Sequence, residues 1–185
     1  MPPLVRSRLR TIRGGVIPSA AAGRRLDGPA DWLTGAQAHR LAIPAPVTLR
    51  AMRSTELTIA TGQKRGLSDL TGACARFVAE HGDGLLHVFV PHATAGLVIM
   101  ELGAGSEADL MSALDRILPR DDGWHHRHGS PGHGADHVLP LLAPPAVTVP
   151  VVAGRLALGT WQSIVLLDPN PDNPSRTVRL SFLPG

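Results

Sequence analysis

Five of the nine histidines in this 185-residue chain fall between positions 125 and 137, in Trp124-His-His-Arg-His-Gly-Ser-Pro-Gly-His-Gly-Ala-Asp-His137. Imidazole is the commonest neutral side-chain ligand for a transition metal, and its ordinary pKa lies near neutrality. Five of them among glycines, with Asp121, Asp122 and Asp136 nearby, suit a site better than a core. His133 and His137 are four apart and share one face if the segment is helical. A zincin-type protease needs Glu directly after the first histidine, and Gly134 stands there. A three-histidine site with an open position, or one completed by a carboxylate, remains allowed. The competing reading is a polar loop with incidental histidines, in which His125 and His126 are solvated neighbours of Trp124.

Other candidates lie elsewhere. His92 follows an apolar run, in Pro91-His-Ala-Thr-Ala-Gly96, where a strand end aims a side chain into the mouth of a sheet. The small residues around it admit a ligand close to the backbone, and Thr94 adds a hydroxyl. Glu101 is either the first solvated residue after a strand or a carboxylate orienting a histidine. Gly159-Thr-Trp-Gln162 reads as part of a long aliphatic strand, with Trp161 as core filling and Thr160 and Gln162 on the opposite face, needing partners. Arg176 and Arg179 offer forks to a phosphate, or face solvent on an edge strand.

The elements that must position these residues follow from period and punctuation. Val47–Arg50 and Glu56–Thr61 are β-branched runs that read as paired strands. Gly66-Leu-Ser68 reads as a break, with Ser68 capping a helix that carries Leu70, Cys74, Phe77 and Val78. Leu85–Val90 reads as a strand buried on both faces, and Leu97–Met100 as another. Ser106 reads as the cap of a second helix with Leu110, Leu114, Ile117 and Leu118, ended by Pro119. A short helix bent by Pro140 is expected over 135–142. Strands are expected over 147–152, 156–167 and 177–183, with Ala153-Gly154 as a tight hairpin. The pattern is α+β, with a mostly antiparallel sheet and two to three helices in one domain over 46–185.

Residues 1–45 differ: they carry seven arginines against Asp27 and Asp31, without sustained period, and read as a disordered or loosely attached basic extension. The rest holds eleven basic and thirteen acidic residues, so it is mildly acidic. The pI near 10.3 reflects one lysine and no tyrosine at a net charge of only +3. Arginines without interleaved aromatics argue against nucleic-acid binding. The single cysteine, Cys74, excludes an intramolecular disulfide framework and reads as a buried, inert thiol. No stretch approaches the ~20 apolar residues of a membrane span, and no apolar signal segment follows the first arginines. The expected location is the cytoplasm.

Four segments, in order and spacing, resemble the YjbQ family of secondary thiamine-phosphate synthases. They are Ser54–Thr61; Pro91–Leu97 with Glu101; the histidine loop ending at His137; and Val149-Pro-Val with Gly154–Gln162. The resemblance covers roughly residues 50–183. It implies a compact α+β domain that assembles as a homotrimer and a polar site with His92, Glu101, His128 and His137. It also implies a divalent metal, zinc or else magnesium, and a small phosphorylated substrate. The implied transferase joins a hydroxymethylpyrimidine diphosphate to a thiazole phosphate.

Two departures stand out. Ala135 and His133 replace a histidine that relatives carry two residues before His137, and Met100 and Leu102 flank Glu101 where asparagines are usual. The residues expected at the site are thus His92 and Glu101 as catalytic groups and Thr94, Gln162 and Arg176 as substrate contacts. His92, His128, His133 and His137 are the expected metal ligands. A metal or small-ligand binding protein without catalysis is the alternative.

Overall fold

The computed structural model describes residues 6–9, 51–121 and 123–185. The described elements run β1 (Arg6–Leu9), β2 (Arg53–Ala60), β3 (Gly66–Asp69), α1 (Thr71–Val78), β4 (Gly84–Phe89), β5 (Gly96–Met100) and α2 (Ser106–Ile117). They continue with α3 (His133–Val138), a 3₁₀ turn (Leu139–Leu141), β6 (Ala146–Val152), β7 (Arg155–Leu156), β8 (Ser163–Asp168) and β9 (Ser175–Pro184). All strand pairs are antiparallel, in one sheet ordered β1-β2-β9-β4-β6-β7 and a second ordered β3-β8-β5. This is the expected α+β architecture with its antiparallel pairing.

Alternation builds the larger sheet. In β2, Thr55, Leu57 and Ile59 are buried while Glu56, Thr58 and Ala60 face out. β9 lies beside it in register, with Leu57 opposite Val178 and Glu56 opposite Arg179. Arg179 reaches Glu56 at 2.7 Å across the exposed face, a pair worth at most about 1 kcal/mol there. The inward residues of β9 are Arg176, Val178, Leu180 and Phe182. Val178, Leu180 and Phe182 join a core with Leu86 and Val88 of β4, Cys74 and Val78 of α1, and Ile164 and Leu166 of β8. Burial of each large aliphatic contributes roughly 1.5–3 kcal/mol. It also pushes the Cys74 thiol up to about 12, so the cysteine is inert as expected.

β8 is buried from Ile164 to Asp168 because it is covered on both faces. Ile164 and Leu166 serve the first core, whereas Leu167 serves a second one with Leu114 of α2, Leu118 just past its end, Ala135 of α3, and Leu139. The histidine-bearing helix is therefore seated on β8 through Ala135 and Leu139.

Several local expectations shift. Gly66–Asp69 is a strand rather than a break, because Leu67 pairs with Leu167 across from β8. Helix α1 then starts at Thr71, whose amide is held by the Asp69 carboxylate at 2.8 Å, so Ser68 caps nothing. The cap of α2 is Gly105, at φ 95°, and Ser106 is its first helical residue. Only one face of β4 is fully buried, and Leu85 is 45 % exposed. The long strand expected over 156–167 is instead β7, an exposed turn and β8; Trp161, at 70 % exposure, fills no core.

Strand β1 pairs with Thr55–Thr58 of β2; the rest of the 1–45 segment, and the strand expected at 47–50, lie outside the described residues. Among the described residues no helix is long and apolar enough to cross a membrane.

One charge sits inside this frame. Arg176 is 1 % exposed on the inward face of β9 and donates from Nε and Nη2 to the two carboxylate oxygens of Asp168, both at 2.7 Å. Asp168→Ala leaves a buried guanidinium without its counter-charge and should lower the unfolding free energy by about 3–5 kcal/mol in urea titration. Arg176→Met combined with Asp168→Leu should recover most of that loss.

Candidate metal centre

The four-residue spacing of His133 and His137 on α3 brings their Nε2 atoms to 3.0 Å. The third imidazole comes from the preceding loop. His126 lies with its ring centroid 4.2 Å from that of His137 and stacks nearly parallel to His133 at 5.3 Å. One ligand atom from each of His126, His133 and His137 falls within 4.8 Å of the others. Nitrogens on a tetrahedral zinc at 2.0–2.1 Å are spaced about 3.3 Å apart, inside that range. The three imidazoles thus fit a zinc-like ion, and as nitrogen donors they suit magnesium poorly. His128 stands beside them, its ring 4.1 Å from His126 and 4.7 Å from His133.

Two glycines make this convergence possible. A Cβ on Gly134 would sit 2.5 Å from the Trp124 Cβ and 2.8 Å from the His126 carbonyl oxygen. The loop therefore lies against α3 only because position 134 has no side chain, and Trp124 is fixed by its indole N–H donating to the Pro119 carbonyl at 2.7 Å. Gly129 adopts φ +83°, and a Cβ there would meet His133 Nδ1 at 2.5 Å and Asp172 Oδ2 at 2.7 Å.

Beneath the imidazoles lies a polar layer that the sequence did not announce. Asp172 Oδ2 lies 2.7 Å from His133 Nδ1 and accepts from the Ser130 amide at 3.1 Å. Asn170, 1 % exposed, accepts from the Asp172 amide at 3.0 Å and donates to Asp136 Oδ2 at 3.0 Å. Asp136 is buried and ion-paired with Arg120, whose Nη2 also donates to the Pro131 carbonyl at 3.0 Å.

The electrostatics favour unprotonated rings at His126 and His137. Loss of solvation, then the neighbouring histidines, hold His126 and His137 below the ordinary imidazole value. The Ser130 amide leads in lowering Asp172, with His133 assisting, so that carboxylate stays ionised.

The expected site residues divide. His133 and His137 are brought together, with His128 adjacent, and His126 takes a place for which His92 was expected. Among the described residues, His92 is not in the cluster: its Nε2 accepts the Thr177 amide at 2.9 Å. Arg176 is 1 % exposed, and its Nε and Nη2 are engaged by Asp168. Gln162 accepts from the Gly159 amide at 2.8 Å in an exposed turn. Thr94 is buried at 7 % exposure, and Glu101 is exposed and outside the cluster. The sequence reading missed His126, Asp172 and Asn170. His126 had no mark to separate it from His125, and the run between the strands expected over 156–167 and 177–183 carries no motif.

Residues 55–185 match the family model YjbQ, "UPF0047 protein YjbQ-like". The chain belongs to the YjbQ-like UPF0047 family. A UPF0047 protein of Mycobacterium tuberculosis is 58 % identical over 134 residues, 72 % of this chain and 100 % of that protein. One from Archaeoglobus fulgidus is 37 % identical over 113 residues, covering 61 % of this chain and 88 % of its own. Among solved structures, a hypothetical protein from Aeropyrum pernix superposes with a TM-score of 0.64 at 29 % identity, over 72 % of this chain and 99 % of that one. A YbjQ-like protein of unknown function from Sulfolobus solfataricus gives 0.68 at 22 % identity, over 73 % and 99 %, a likeness of fold. The family match spans α3, the histidine loop and the Asp168–Asp172 segment, so the whole cluster lies inside the YjbQ-like domain.

His92 gives a pH test of its structural place. Burial first, then the Arg176 guanidinium, lower its pKa from 6.5, while Asp168 opposes them. The folded chain therefore takes up this proton at lower pH than the unfolded chain. The stability is present above the unfolded value and is lost as pH falls through the folded one. His92→Gln keeps an acceptor for the Thr177 amide, and should lose less stability than the parent between about pH 7 and about pH 5 in urea unfolding. An identical pH dependence in the two proteins would count against this place for His92.

Proposed function

We propose that this YjbQ-like chain is a metal-dependent enzyme that uses His126, His133 and His137 to hold zinc and acts on a small phosphorylated molecule. The observation that carries the reading is the convergence of three imidazole ligand atoms within 4.8 Å, two of them from one helix face. Three protein ligands leave a position for water or substrate, the arrangement of catalytic rather than structural zinc. Zinc bound there would act as a Lewis acid on a phosphoryl oxygen.

The chain's own residues bind and orient. His126 is exposed, so the cluster is open on the side of the loop, and Arg127 follows it with its Nε donating to the Trp124 carbonyl at 3.2 Å. Arg127 is the cation placed to meet an anionic substrate, because Arg120 and Arg176 are tied to Asp136 and Asp168.

The resemblance supplies the reaction to assay. The methylene carbon of a hydroxymethylpyrimidine diphosphate bonds to the ring nitrogen of a thiazole phosphate, and pyrophosphate leaves with the electron pair of the broken C–O bond. The same reading makes the protein a cytoplasmic homotrimer, for which exposed Trp161 and Ile99 offer apolar contact surface.

Protein purified without an affinity tag should contain about one zinc-like ion per chain by elemental analysis. Added zinc at 100 times its dissociation constant should raise the unfolding free energy by about 2.7 kcal/mol. His126→Ala, His133→Ala and His137→Ala should each lose the ion, and His125→Ala should keep it. Absence of metal together with no thermal shift overturns the metal reading. Bound zinc with no turnover of the pyrimidine and thiazole pair leaves a binding protein instead.

A further inference from the structure

Asp172 comes from the turn after β8, far from the histidine loop in sequence, and meets His133 Nδ1 at 2.7 Å. The same nitrogen has the Asn170 Nδ2 at 3.1 Å. Nδ1 cannot give a proton to the first neighbour and accept one from the second. The amide of Asn170 is already oriented, because its Oδ1 accepts from the Asp172 amide and its Nδ2 donates to Asp136 Oδ2. A carboxylate has only lone pairs to offer, and two lone-pair atoms 2.7 Å apart would repel. The proton therefore lies on His133 Nδ1 and points to Asp172, leaving the lone pair on Nε2, the atom that faces His137.

We infer that Asp172 is a positioning residue that fixes the tautomer and ring orientation of His133, so that Nε2 is presented as a metal ligand. The metal half of this inference rests on the function proposed above; the tautomer half does not. The carboxylate is itself held in place. Its backbone amide is tied to Asn170, its Oδ2 also accepts the Ser130 amide, and the turn it occupies is anchored at its start by the buried Asp168–Arg176 pair. A carboxylate behind a ligating histidine raises ligand basicity, and loss of such a partner typically costs 10–100-fold in metal affinity.

The test uses the full chain. In ¹⁵N-histidine NMR of the metal-free protein above the imidazole range, His133 should be the Nδ1–H form, and in Asp172→Ala it should move toward the Nε2–H form. Asp172→Asn, which keeps an acceptor oxygen, should restore the Nδ1–H form. In a chelator competition, zinc affinity should fall 10–100-fold in Asp172→Ala and less in Asp172→Asn. An unchanged His133 tautomer in Asp172→Ala overturns the inference, as does a zinc affinity within twofold of the parent. A parent protein that binds no zinc sinks the metal reading and the ligand half of the inference, while the NMR still decides whether Asp172 sets the tautomer.

Discussion

Strand alternation puts Arg176 on the inward face of β9, and the rest of the architecture depends on how that charge is met. A guanidinium at 1 % exposure needs a counter-charge and hydrogen-bond acceptors in place, and Asp168 at the end of β8 supplies both in a bidentate pair. β9 belongs to the six-stranded sheet and β8 to the three-stranded one, so the pair ties the two sheets at one point. It also fixes where the chain leaves β8. From there Asn170 and Asp172 reach the histidine cluster in a turn whose direction is already set.

The cluster shows the same hierarchy at smaller scale. Hydrophobic seating comes first: Ala135 and Leu139 place α3 on β8, and the helical period then puts His133 and His137 on one face. Polar contacts refine this placement. Asp136, between the two histidines, is buried and faces Arg120 and Asn170, so the helix is held on its polar side as well. Unprotonated histidines at close range carry no mutual charge repulsion, whereas protonated ones would. The lowered values of His126 and His137 follow from their position in this group.

What the sequence made legible follows from period and range. The Leu110, Leu114 and Leu118 spacing, the β-branched run at 56–61 and the His133–His137 pair are local, and each reappears in the fold. β3 was not legible, because Gly66-Leu-Ser-Asp69 becomes a strand only by pairing with β8, about a hundred residues later. Gly159–Gln162 failed in the opposite way: aliphatic neighbours suggested one strand, but Gln162 folds back on the Gly159 amide and closes a turn. Within the histidine loop no period tells which ring turns inward, so His126 looked like His125. Asp172 was invisible because its partner is 39 residues away and no repeat or motif links them.

Position 134 decides what kind of site this can be. In a zincin helix, the residue after the first ligand is a glutamate that serves as general base. Here that position is packed against Trp124 and the His126 carbonyl, at distances no side chain could share. The helix therefore gives up an adjacent base, and in exchange the loop comes close enough to deliver His126 beside His133 and His137. Asp172, the carboxylate that meets His133, is spent on holding a ring rather than on taking a substrate proton. The constellation thus lacks the adjacent general base that a zincin helix brings to its water.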